Sequence, residues 1–186
     1  MNFLKVDSYV LQASMLAKEI SFRLKLDFIP REIFLLSLIA IPGSSLNEYI
    51  HTNADITQND IYSYLIKCFN EKPITFGKVN YLYILNEYLA IDQTILDLLA
   101  TAKEATYDLY ECDVIFNDCV AIAWAELFNE DFINTMSYFI PDFDGFYDTD
   151  SQSVISQSLN SFLTDMNSKF SKSDKVCKIC GRDDET

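Results

Sequence analysis

Few residues in this chain of 186 have types and spacing that could do chemistry. Near the carboxy terminus, Cys177-Lys178-Ile179-Cys180 has the spacing of half a zinc site or of a redox pair. A structural zinc needs four ligands, and the other candidates are Cys68, Cys112, Cys119 and the single His51. All four fall in helical or domain segments, and no second short-spaced pair exists. Metal binding at Cys177 and Cys180 is therefore disfavoured, and the expectation is no metal. His51, in "YIHTNAD", has no recognisable nucleophile paired to it and reads as a turn or surface histidine. No GxxxxGK[ST] loop occurs, so nothing here cradles a nucleoside triphosphate, and no catalytic residue is expected. Two acids, Glu32 and Asp118, open expected helices. There the helix dipole stabilises a carboxylate, so both could simply cap.

The elements that must position these residues follow from composition and periodicity. With 49% apolar and 23% charged residues the bulk of the chain is globular. Only 4 Gly and 4 Pro argue for helices over a turn-rich β fold. The net charge of −14 would repel a phosphate backbone or an anionic membrane, so neither nucleic acid nor membrane is an expected partner. Cationic or apolar partners, including unfolded polypeptide, suit it. The amino terminus lacks the basic-then-apolar order of a secretory signal, and the run Ile33 to Ile41 is too short to span a bilayer. Five irregularly spaced cysteines give no disulfide framework, which points to a cytoplasmic chain with reduced thiols.

Helical spacing runs from Asp7 to Leu26, with Asp7 or Ser8 as cap. Pro30 suits the first turn of a second helix, which Pro42-Gly43 stops. Ser45 and Glu48, then Thr57 and Asp60, have capping-box spacing. Helical spacing returns from Val79 to Leu109, broken near Ile91-Asp92, and from Asn117 to Phe139, where Trp124 reads as core. Residues 1–140 are thus expected to form the domain, 141–162 an acidic, Ser-rich linker and 163–186 a stub. Phe143, Phe146 and Tyr147 in the linker could dock on the domain.

An internal duplication narrows the fold. "AKEISFRL" (17–24) matches "AKEATYDL" (102–109), and "FIPREIFLLSLI" (28–39) meets "VIFNDCVAIAWA" (114–125) after one inserted residue. Ile29 faces Ile115, and Glu32 faces Asp118. Apolar periodicity alone makes helices look alike, but the polar Lys and Glu recur too. The expected fold is all-α, about eight helices in two pseudo-twofold-related four-helix repeats, at about 1–70 and about 79–140.

"LAKEISFRLKLDFIPRE" (16–32) then resembles the first repeat of the amino-terminal domain of Clp-family AAA+ unfoldases, through Leu16, Ala17, Glu19, Arg23, Leu24, Ile29 and Glu32. Ile33 stands at the usual His, and Pro30-Arg31 at the usual Gly-Thr. Asp118 and Cys119 take the Glu-His positions of a weaker second repeat. The segment Thr164, Asp165, Met166, Asn167 and the end Gly181, Arg182, Asp183, Asp184, Glu185 resemble the family's junction into its first ATPase module. The resemblance implies a non-catalytic recruiting domain that binds unfolded or helical client segments or adaptor proteins, monomeric alone and hexameric at full length. ATP and magnesium would be expected only for the full-length protein, with or without a protease partner. In some members the acids equivalent to Glu32 and Asp118 grip the guanidinium of phosphorylated arginine; with Arg31 and Asn117 they form the candidate ligand- or adaptor-binding set. One alternative is the sheath-disassembling ATPase of type VI secretion, which takes a sheath helix. Others are a metal-binding interaction module using Cys177 and Cys180, and a free-standing helical interaction protein.

Metal analysis of the purified chain is expected to find no stoichiometric zinc, with or without Cys177→Ser. Zinc at one per chain, lost in the variant, would restore the metal reading.

Overall fold

The structure, a computed structural model, describes residues 2–71, 77–84 and 87–143. Helix α1 (Ser8–Arg23) starts where its cap was expected, the Val10 amide donating to Asp7 Oδ1 at 2.8 Å. The chain leaves α1 through Lys25 in the left-handed region, φ 59°. Pro30 immediately precedes α2 (Arg31–Ala40), which is buried from Ile33 to Ala40. Gly43, at φ 83°, makes the turn that a side chain would strain. Helix α3 (Ser45–Asn53) is capped by Ser44 rather than Ser45, one residue earlier than the spacing suggested. The capping box expected before α4 (Gln58–Glu71) forms: Thr57 N–H and Oγ1 each donate to Asp60 Oδ2 at 2.7 Å, and the Asp60 amide donates back to Thr57 Oγ1 at 3.3 Å. Those Thr57 bonds hold the Asp60 carboxyl below its ordinary range.

The stretch from Val79 corrects the all-α expectation. It forms two antiparallel strands, β2 (Val79–Ile84) and β3 (Glu87–Asp92), with β1 (Asn2–Leu4) parallel on the far side of β2. The fold is mainly α, with seven helices rather than about eight among the described residues and a three-stranded sheet. Period-two alternation was hidden because the outward positions of the hairpin carry Val79, Tyr81 and Tyr88, which read as apolar although they are exposed. The break foreseen near Ile91-Asp92 is where α5 (Gln93–Tyr110) begins, Thr94 N–H donating to Asp92 Oδ1 at 2.8 Å. The last helical stretch divides at Phe128 into α6 (Asn117–Leu127) and α7 (Asn129–Phe139).

Helices α2 and α6 are apolar on nearly every side, so both must be interior. Accordingly α1 and α4 pack on α2, while α5, α3 and α7 pack on α6. Trp124 of α6 is 1% exposed, as expected of a core residue, and its indole N–H donates to Asp131 at 3.1 Å. Two single-residue bridges tie the chain together outside the sheet, Val6 with Ile115 and Ile29 with Ile91, both parallel. Phe143 docks edge-on against Phe132 and Tyr49. Phe146, Tyr147, Cys177, Cys180 and the expected linker and stub beyond Phe143 lie outside the described residues.

Asp92 is 5% exposed and caps the longest helix, so Asp92→Ala is expected to cost about 1–2 kcal/mol. The loss would appear as a lower urea midpoint with an unchanged slope.

Candidate functional site

The four candidate residues fall at two helix N-termini. Neither Pro30, before α2, nor Phe116, before α6, can supply a capping side chain, so the first amides of each helix need partners from elsewhere. At α6 the partner is Asp7. The Asn117 amide donates to Asp7 Oδ2 at 2.9 Å and the Asn117 side-chain Nδ2 donates to the same oxygen at 2.6 Å. Asn117 Oδ1 in turn accepts from Ser45 N–H and Ser45 Oγ, both at 2.7 Å. A buried chain of hydrogen bonds therefore joins the starts of α1, α6 and α3. The positive ends of three helix dipoles converge on it, which suits an ionised Asp7.

Asp118, the next residue, is also engaged: Tyr110 OH donates to its Oδ2, and the Cys119 amide donates to its Oδ1 at 2.7 Å. Burial and the Asp118 charge push the Tyr110 phenol far above its usual range, so it remains a protonated donor. The same influences, burial first, keep the Cys119 thiol protonated. At α2, the Arg31 guanidinium lies over the Phe128 ring, 4.1 Å from its centre, and reaches Glu32 at 3.4 Å. Arg31 Nε is buried with no hydrogen-bond partner. Among the described residues, no hydrogen bond or ion pair joins the Arg31–Glu32 pair to the Asn117–Asp118 pair. An incoming guanidinium would compete with the Tyr110 hydroxyl at Asp118 Oδ2 and with the protein's own Arg31 at Glu32 Oε1. His51 is exposed, its ring nitrogens 3.1 Å from Ile56 O and 3.2 Å from Gln58 Oε1. Among the described residues no group of three His, Cys, Asp or Glu stands together that could hold a metal ion.

A second concave surface was not foreseen. A groove of about 470 Å³ is lined by α1, by residues 26–29 and by β3. Met15, Lys18, Glu19 and Phe22 form its α1 wall, the i, i+3, i+4, i+7 stripe that faces away from the core. Phe22 is 81% exposed. On the other wall Tyr88 stacks on Tyr81 at 5.2 Å and packs against Tyr83 at 5.1 Å. The residues missed at the helix starts, Asp7 and Ser45, were legible only as caps; Phe22 and Tyr88 were legible only as apolar positions in a helical pattern.

Neither a protein-family model nor a curated protein matches the chain.

The balance at Asp7 is open to measurement. Burial is the largest influence and raises its carboxyl above 3.8, against the hydrogen bonds from Asn117 and Val10 that pull it down. Between that ordinary value and the raised one the folded state binds the proton more tightly than the unfolded state. The contribution from Asp7 is therefore fully present below the ordinary value and is lost as pH rises through the raised one. Asp7→Asn turns an amide toward the Asn117 donors and should destabilise the fold by about 2–3 kcal/mol. The wild-type advantage over it, from urea titrations at several pH values, should shrink as pH rises through that window and then level off.

Proposed function

We propose that this chain is a recruiting module of the Clp amino-terminal kind, built as two copies of one helical unit about an approximate twofold axis. One observation carries the duplication: the chain makes the same exchange twice. The residue before the cap of α1, Val6, bridges Ile115 in the loop after α5; the residue before the cap of α5, Ile91, bridges Ile29 in the loop after α1. These are the isoleucines that the sequence alignment pairs. Each loop also begins with a residue in the left-handed region, Lys25 in one copy and Glu111 in the other. The contacts of α2 and α6 are reciprocal in the same sense, with Arg31 on Phe128 before α7 and Asn117 on Ser45 at the start of α3.

In this reading the module has no catalysis of its own and holds protein segments for an ATP- and magnesium-dependent hexameric unfoldase in the cytoplasm. The exposure of Phe22 and Tyr107, at equivalent positions of the two copies, supports a role in contacting apolar segments. The net charge of −14 favours cationic ones. Glu32 stands at the family's acid and Asp118 replaces its Glu by Asp, while Arg31 and Tyr110 already contact these carboxylates, so the reading rests on polypeptide rather than on phosphoarginine.

Calorimetry of the purified chain against an unfolded model protein, phosphoarginine and an amphipathic helix tests this. Binding of the unfolded protein, weakened by salt, is the expected result. Selective binding of the helix would move the assignment to a dedicated sheath-type ATPase, and silence with every ligand would remove the recruiting role.

A further inference from the structure

The outer edge of β3 is only partly covered. Ile29 N–H donates to Ala90 O, and the Asp92 amide donates to Ile29 O, both on the side away from β2. Backbone groups alternate along a strand, so the Tyr88 N–H and C=O and the Ala90 N–H face that same outer side. Among the described residues none of these three groups meets a hydrogen-bonding partner. They open into the groove whose other wall is Met15 and Phe22.

The two copies differ here. Asp27, at the groove, directly precedes the aligned stretch that starts at Phe28, as Asp113 precedes the one that starts at Val114. Asp113 is clamped by Lys103 at 2.9 Å and Lys5 at 3.3 Å. Lys18, the counterpart of Lys103, instead crosses to Glu87 at 2.8 Å, and Asp27 has no ion-pair partner among the described residues. The first copy thus presents an uncompensated carboxylate, an exposed phenylalanine and an unpaired strand edge in one groove.

We infer that this groove takes an extended peptide segment of alternating apolar and basic residues, added as a short strand along Tyr88–Ala90. The backbone of the segment would satisfy the three free edge groups, its apolar side chains would lie on Phe22 and Met15, and a lysine or arginine would pair with Asp27. This inference rests on the recruiting role and names the place and chemistry of the segment.

The test is fluorescence anisotropy with the full 186-residue chain and a labelled, capped peptide alternating valine and lysine. Saturable binding is expected, competed by the unfolded model protein and absent for a valine–glutamate analogue. Phe22→Ser and Asp27→Asn alter exposed side chains and should each weaken it about tenfold. Ala90→Pro removes only an outward-facing amide, as an edge strand tolerates, and should weaken it similarly once circular dichroism shows an intact fold. A peptide N-methylated at alternate residues keeps its side chains but loses its backbone donors, and should not bind. Equal affinity for the methylated peptide, or for Phe22→Ser and Asp27→Asn, would overturn the inference, as would no binding to the wild type. The unfolded protein, titrated alone, separates the failures: if it still binds, recruitment stands and this groove does not.

Discussion

The arrangement depends on one buried hydrogen-bonded chain, Val10 to Asp7, Asn117 to Asp7, and Ser45 to Asn117. Helix ends leave amides that must find acceptors, and burying three ends together would be prohibitive unless each were served. Asp7 and Asn117 serve them with two side chains. In doing so they fix α1, α6 and α3 relative to one another across 110 residues of sequence. A carboxylate buried this way costs desolvation, which is why its carboxyl is raised although it accepts three hydrogen bonds. Fully partnered, the network holds the three helix starts in one arrangement, and removing any member would leave the others buried and unserved.

The starts of α5 and α2 meet the same need differently. Asp92 caps α5 through Thr94, but the residue matched to Asn117 is Arg31, which turns its guanidinium onto the face of Phe128. A flat cation on an aromatic ring keeps much of its attraction when partly dry. The interior helices α2 and α6 remain alike in being buried on nearly every side.

This division explains what the sequence disclosed. Caps are local, so Asp7, the Thr57–Asp60 box and the start of α5 were readable from a few neighbouring residues, and the burial of Trp124 followed from an apolar run. The hairpin was not readable, because Tyr81 and Tyr88 put large apolar side chains where alternation requires polar ones. Glu32 and Asp118 were recognisable as first-turn acids, yet their partners were not: Tyr110 reaches Asp118 only after a loop reverses the chain, and the ring under Arg31 comes from residue 128. The groove was least legible of all, since its walls are joined only by the fold.

Those exposed tyrosines sharpen a physical problem that the structure handles by charge and brevity. An open strand edge invites pairing with another copy, and aromatic neighbours make such pairing more favourable. Among the described residues the free stretch is Tyr88–Ala90, bounded by the Ile29 bridge at one end and the Lys18–Glu87 pair at the other. Two like edges brought together would also bring two unpaired Asp27 carboxylates and two strongly negative surfaces into contact. The charge that would attract a basic segment would thus also oppose self-association. On the proposed docking, an edge so limited would discriminate by sign and length, admitting one short cationic strand and disfavouring its own copy.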